Sequence, residues 1–387
     1  MRDANVITAA HAVCAAGDDL SAIASNLLAG RSGLRSQVIA GREVFAGRVE
    51  RWGDATSTST TTAASAALEA AAGVLQPCNH ARGARTGLIV STTKADIDPL
   101  LAAARSDPQM QPPETGELVR LLEQLVARLA ERTFLVGPTQ VVSNACASGL
   151  VAMMQADRWI RRGRCERVLV VGVDRLSEFV VAGFASLAAL GSGPCKPFDA
   201  ARDGVSLGEA AAAVMIESPA AAGRAANPPL AAIAGYAQTS DGFHLTAPAR
   251  GGVQLIAAIE QSLAMAGLAP QAIDFVNAHG TGTPYNDEAE ACAIAATLPA
   301  GPPVASFKGC FGHTLGAAGV LEAAVCVELM QRQQRPASLG CQTPGVPVDL
   351  HISQAATPAP LRHVLTLKTG FGGLNAAMIL SHGSDAR

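Results

Sequence analysis

The chain has 387 residues, 49% of them hydrophobic, 16% charged and only 4% aromatic, with a formal net charge of −3. That is ample apolar material for a large core in two or three domains built from small aliphatic side chains, and the charge argues against nucleic-acid or anionic-membrane partners. Nine cysteines without a C-x-x-C pair argue against a disulfide scaffold and for a reducing compartment. The start, MRDANVITAA, lacks the basic and apolar regions of a signal peptide. No apolar run reaches the ~20 residues of a membrane span. A soluble, cytoplasmic protein without membrane insertion is expected. Cys310 and His313 are spaced C-x-x-H, but no second pair accompanies them, so no metal site is expected.

Residues 87–90 (GLIV) read as a buried strand and residues 117–133 as an amphipathic helix. Val141 and Val142 lead into a small-residue helix that runs through Arg161. Residues 168–173 (VLVVGV) and 211–216 are apolar on both faces, as strands covered on both sides are. The arginines between 158 and 167 read as a solvated helix end. Residues 218–229 (SPAAAGRAANPP) read as a linker. Strands are then expected at 230–236, 275–277, 304–306, 365–368 and 376–380, with a helix at 253–267 and a small-residue helix following Ser306 to about Arg332. The alternation indicates α/β layers. VVSNACASGLVAMMQADRWI and PVASFKGCFGHTLGAAGVLEAAVCVELM share one design. In each, a strand is followed by a serine and then a reactive residue at the mouth of a small-residue helix. This points to a duplicated unit, although two alanine-rich helices can agree by chance.

Four motifs carry chemistry. In Ser143–Gly149 (SNACASG), Cys146 follows a strand and opens a helix, where free N–H groups and the helix dipole favour thiolate. A buried structural cysteine is the alternative. In NAHGTGTP, His279 enters a glycine-rich turn with Thr281 and Thr283, whose hydroxyls can hold polar groups. In FKGCFGHTLGAAG, His313 stands at a second helix mouth, and Lys308, if buried, needs a carboxylate such as Glu322. Capped turns explain either histidine equally well. GFGGLN, beginning at Gly370, has backbone N–H groups that could face a ligand, or is a plain tight turn.

In this order, A-C-A-S-G, H-G-T-x-T-P, K-x-x-x-G-H-x-x-G-A-A-G and G-F-G-G-x-N resemble the elongating β-ketoacyl-acyl carrier protein synthases. Pro197-Phe198-Asp199, Arg202-Asp203-Gly204, Gly208-Glu209-Ala210 and the stretch from Ser240 to Thr246 are similar to further family motifs. The resemblance covers nearly the whole chain. It implies the thiolase fold, two pseudo-duplicated αβαβα halves in five layers. Residues 1–228 would form the half with the nucleophile, and residues 229–387 the half with both histidines. It further implies a homodimer, or a heterodimer with a related ketosynthase-like subunit, in which strand 168–173 pairs across the two-fold axis. Acyl carrier protein is the expected partner. No cofactor of the protein's own is expected, because phosphopantetheine belongs to the carrier.

By the same resemblance, Cys146 takes the acyl group and the N–H groups of Cys146 and Phe371 form the oxyanion hole. His279 and His313 stabilise the enolate left by malonyl decarboxylation. Lys308, paired with Glu322, serves electrostatics and positioning. Thr281 and Thr283 hold the pantetheine arm, and Thr246 lines the malonyl side. Leu367-Lys368-Thr369 stand where the family often has N-S-F, and Leu374 replaces a frequent Thr. A thiolase acting on coenzyme A thioesters and a non-catalytic partner subunit are the competing readings. The first would need a late C-x-G, but Cys310-Phe311-Gly312 precedes His313. The second is opposed by the complete Cys–His–His set.

Overall fold

The structure, a computed structural model, describes residues 4–53, 62–82, 85–107, 109 and 115–383. Its main sheet has ten strands: β1 (Val6–Cys14), β2 (Gly87–Ser91), β3 (Thr139–Val142), β4 (Arg167–Asp174), β5 (Ala210–Glu217), β6 (Ala231–Ser240), β7 (Phe275–Asn277), β8 (Val304–Ala305), β9 (His363–Gly370) and β10 (Leu374–His382). The principal helices of its layers are α1 (Ala63–Leu75), α2 (Thr115–Thr133), α3 (Ser148–Arg161), α4 (Val253–Ala266), α5 (Pro284–Thr297) and α6 (Ala318–Arg332).

The strand order is β8-β7-β9-β10-β6-β1-β5-β4-β2-β3. Each half therefore runs β-α-β-α-β-α-β-β along the chain and is laid out with its own first strand beside its fifth, then fourth, second and third. The directions repeat as well. β1–β5 and β5–β4 are antiparallel, β4–β2 and β2–β3 parallel. β6–β10, β10–β9, β9–β7 and β7–β8 follow the same pattern. Within the main sheet the two halves are joined by two residue pairs, Val6 with Ala232 and Ile7 with Ala231. This is the duplicated α/β architecture expected from the paired helix-mouth motifs.

Helices α3 and α6 form the middle layer and touch strands of both halves. α1 and α2 cover the outside of the first half, and α4, with α5 packed on it, covers the second. The strands between such layers lose their polar face, so β4 is buried from Val168 to Asp174. The middle helices touch backbone to backbone. A Cβ on Gly149 would lie 2.5 Å from the Val320 nitrogen, and one on Gly319 would lie 2.3 Å from the Leu150 nitrogen. Only glycine permits that approach.

Several expectations need correction. The 218–229 stretch is not an open linker. It holds a helix, Pro219–Ala225, with Pro219 in its first turn and the Ser218 side chain accepting from the Ala221 N–H. β4 cannot pair with another copy, because β2 and β5 occupy both its edges. The open edge belongs to β3, beside exposed Phe134 and Val136. β1, α1 and α5 were not foreseen. The arginines at 158–167 stand at an exposed helix end as expected, but four of the five also have local partners. Arg161 and Arg167 pair with Asp157 and Glu217, and Arg158 and Arg164 lie over Tyr236 and Trp159.

Candidate active site

Cys146 sits in the turn between β3 and α3. The residue before it, Ala145, has φ of 47°, a left-handed conformation that costs a non-glycine residue free energy. Ser148 holds the turn in place: its Oγ donates to the Ala145 carbonyl (2.6 Å) and accepts from the Asn144 N–H (2.7 Å). His279 follows β7, and carboxylates from α5 fasten its loop. Glu290 accepts from the N–H groups of His279 (2.6 Å) and Gly280 (2.7 Å). Asp287 accepts from those of Thr281 (2.9 Å) and Gly282 (3.0 Å). His313 lies between a short helix, Lys308–Phe311, and α6.

These three segments converge. His313 Nε2 is 2.9 Å from Cys146 Sγ, and the two imidazoles meet edge to face with centroids 5.2 Å apart. The sulfur and one nitrogen of each ring all lie within 4.8 Å of one another. His313 Nδ1 accepts the Leu315 N–H at 3.3 Å. A neutral ring with an accepting Nδ1 carries its proton on Nε2. His313 therefore points an N–H at the sulfur, and Nε2 has no lone pair left for a metal. His279 keeps a buried Nδ1 without a partner.

Burial dominates the electrostatics. It pushes the Cys146 thiol up to about 11, against the opposing pull of the Lys308 charge and the Phe371 N–H. The expectation that the helix mouth would favour the thiolate is thus outweighed. Cys146 is buried two residues before α3, and desolvation of the anion exceeds the help from partial charges. Both imidazoles are held well below their ordinary range by burial first, then by Lys308 and Lys368, with His313 also acting on His279.

Behind the imidazoles lies a fully buried ionic cluster. Glu322 takes Lys308 on one oxygen and Lys368 on the other, each at 2.9 Å. Lys308 also donates to the His279 carbonyl. Burial pushes the Glu322 carboxyl up, but the two lysines together outweigh it and hold it below the usual carboxylate range. The Lys308–Glu322 pair expected from the sequence is present. Lys368 is an addition that the sequence reading noted only as a departure.

A cavity of about 590 Å³ opens above Cys146, His279 and His313, a volume typical of small-molecule sites. Thr281, Thr283, Thr246 and Phe371 all line it. The hydroxyls of Thr281 and Thr283 are 2.8 Å apart. The Phe371 ring stacks on Phe184 at 5.5 Å, while its backbone N–H and that of Cys146 both act on the sulfur. Sequence reasoning missed Asp287, Glu290 and Phe184. The spacing of Asp287 and Glu290 at i and i+3 after Pro284 was the available signal, since it puts both carboxylates on one face at the start of a helix.

The profile described as the β-ketoacyl synthase N-terminal domain matches residues 45–222, and the one for its C-terminal domain matches residues 230–342. The chain belongs to the β-ketoacyl synthase family. The 3-oxoacyl-(acyl-carrier-protein) synthase 2 of Mycobacterium bovis is 38% identical over 61% of this family member and 59% of its own length. A Streptomyces cyaneus relative named for polyketide β-ketoacyl synthesis is 35% identical over 66% of this chain and 64% of its own. The chain thus aligns with just under two thirds of these curated relatives. Among solved structures, a β-ketoacyl synthase from Burkholderia phymatum superposes with a TM-score of 0.86 at 28% identity, covering 98% of this chain and 99% of that one. A ketosynthase solved with its chain length factor, from Xenorhabdus doucetiae, gives 0.83 at 27% identity and 98% of both chains. These likenesses carry the thiolase fold as well as the family. Among the described residues, no helix is long and apolar enough to cross a membrane.

Proposed function

We propose that this chain is a discrete β-ketoacyl-acyl carrier protein synthase, which joins a Cys146-bound acyl group to malonyl carrier protein in fatty acid or polyketide-type biosynthesis. The observation that carries this reading is the His313 N–H directed at the Cys146 sulfur across 2.9 Å, with His279 alongside, under one cavity. Cys146 attacks the acyl thioester, and the N–H groups of Cys146 and Phe371 meet the oxyanion. Collapse expels the carrier thiolate, which takes the proton that the cysteine gives up. Malonyl thioester then loses CO2. Its enolate oxygen accepts hydrogen bonds from His313 Nε2 and from His279, neutral donors kept so by burial and the adjacent lysines. The carbanion attacks the acyl carbon, the C–S bond to Cys146 breaks, and a β-ketoacyl thioester leaves.

In this reading Thr281 and Thr283 hold the pantetheine arm and Thr246 the malonyl side. Lys308, fixed by Glu322, supports the His279 backbone. Residues 1–228 and 229–387 act as the two halves. The partners are acyl carrier protein and a second copy or a related subunit, in line with the neighbour solved with a chain length factor. Nine unpaired cysteines fit the cytoplasm, and the only prosthetic arm is the one the carrier brings. The test is to incubate the protein with a panel of acyl carrier protein thioesters and malonyl carrier protein and to weigh protein and products. An acyl adduct on Cys146 and a product longer by two carbons support the reading. A protein that forms neither is a non-catalytic partner subunit.

A further inference from the structure

Lys368 lies on β9, next to β7, the strand that leads into the His279 loop. Its ammonium group is wholly buried and donates to Glu322 Oε2 (2.9 Å), to the Leu367 carbonyl (2.7 Å) and to Asn277 Oδ1 (3.2 Å). Thr366 Oγ1 lies at 3.5 Å as a fourth acceptor, so each of the three protons of a charged lysine has a partner. Asn277 in turn donates to Glu322 Oε2 (3.0 Å) and accepts from Thr366 (2.8 Å). One buried carboxylate therefore faces two buried ammonium groups, and the same cluster holds the end of β7 two residues before His279.

We propose that Lys368 is a positioning residue of the condensing site: it completes a buried Lys308–Glu322–Lys368 triad whose surplus positive charge lies behind the imidazole pair and keeps both rings as neutral hydrogen-bond donors. Glu322 alone would cancel Lys308. Divided between two lysines it leaves one cation uncompensated, where a protonated imidazole would be repelled. The charged groups around the rings are Lys308, Lys368 and Glu322, with Glu290 on the His279 N–H and Asp174 on the Gly316 N–H. Burial raises both of these carboxyls, Glu290 to about 7, so they oppose the triad less than two full anions would. The inference rests on the proposed function for its catalytic consequence but not for its physical readout.

The test compares Lys368→Met, which keeps length and removes charge, with Lys368→Arg, which keeps charge. Histidine-labelled protein is titrated by NMR, and CO2 release from malonyl carrier protein is followed across pH. Lys368→Met is expected to raise the proton affinity of the His279 and His313 rings by about tenfold, the scale of one unit charge removed at this range in a protein interior. It should move the acidic limb of decarboxylation up by the same factor, and Lys368→Arg should restore the wild-type profile. A merely structural lysine predicts unchanged ring titration in Lys368→Met and overturns the proposal. Should Lys368→Met not fold, Lys368→Gln, which removes the charge and keeps a hydrogen-bond donor, takes its place in the same titration. Rings that titrate near the ordinary 6.5 in the wild-type protein also sink the proposal. Titration uses no substrate, so an absence of condensation with normal titration behaviour counts against the proposed function alone.

Discussion

The two imidazoles are not equivalent toward the sulfur, and their alanine variants should separate. His313 Nε2 lies 2.9 Å from Cys146 Sγ with its proton fixed there by the Leu315 N–H. That N–H becomes a charge-assisted hydrogen bond once the thiolate forms, worth roughly 1.5–3 kcal/mol, or about 10- to 150-fold in rate. His313→Ala should lose that much in acylation. The two rings meet edge to face and it is His313 that bonds the sulfur, so His279→Ala should acylate within about threefold of wild type, since no bond to the sulfur is lost. Both variants should lose decarboxylation by ~10²–10³, the cost of removing one donor to a developing oxyanion. Acylation is read by single-turnover mass measurement of the intact protein, and decarboxylation by CO2 release. Equal acylation rates in the two variants would refute the argument from the 2.9 Å contact.

Three other outcomes follow from the same geometry. With its thiol pushed up to about 11 by burial, Cys146 should react with iodoacetamide at a rate still rising beyond pH 9, and a plateau by pH 8 would contradict the burial argument. Both rings have depressed proton affinity, so the unfolded chain binds more protons below the ordinary histidine value. Stability should fall as pH drops below about 6.5, and less so when His279 and His313 are both replaced by Asn, as thermal unfolding at pH 5 and 7 will show. Gly319→Ala in an ordinary helix gains up to ~1 kcal/mol. Here the added carbon meets the Leu150 nitrogen at 2.3 Å, so the urea midpoint should fall by the equivalent of about 1–3 kcal/mol. A rise would disprove the close crossing.

Much of the site was legible because its chemistry is local. Cys146, His279 and His313 each stand beside glycines or small residues at a strand end or helix mouth, a pattern that short-range sequence reading detects. The strands at 168–173 and 275–277 announced themselves as apolar runs. What could not be read was whatever depends on a partner far along the chain. β1 is flanked by alanines and carries Thr8 and His11, so nothing in its own sequence marks it as the central strand. The thiol's character followed from helix position in the sequence, but burial by remote segments reversed it. Lys368 looked like an irregular substitution until β9 set it against Glu322, 46 residues away in sequence. The edge assignment failed for the same reason. An all-apolar strand is buried, but composition does not tell which neighbours bury it.

The repeated layout also fixes where the chain can be divided. The sulfur belongs to the first repeat and both imidazoles to the second, and the peptide connection between β5 and β6 runs from Glu217 to Ala231. A nick in that connection would leave two fragments, each with a complete five-stranded sheet and neither with a reactive centre. Only docking of α3 on α6 through Gly149 and Gly319 would bring sulfur and nitrogen back within reach. Such a pair is a split reporter by construction: the signal is silent in either piece and returns when the pieces are brought together.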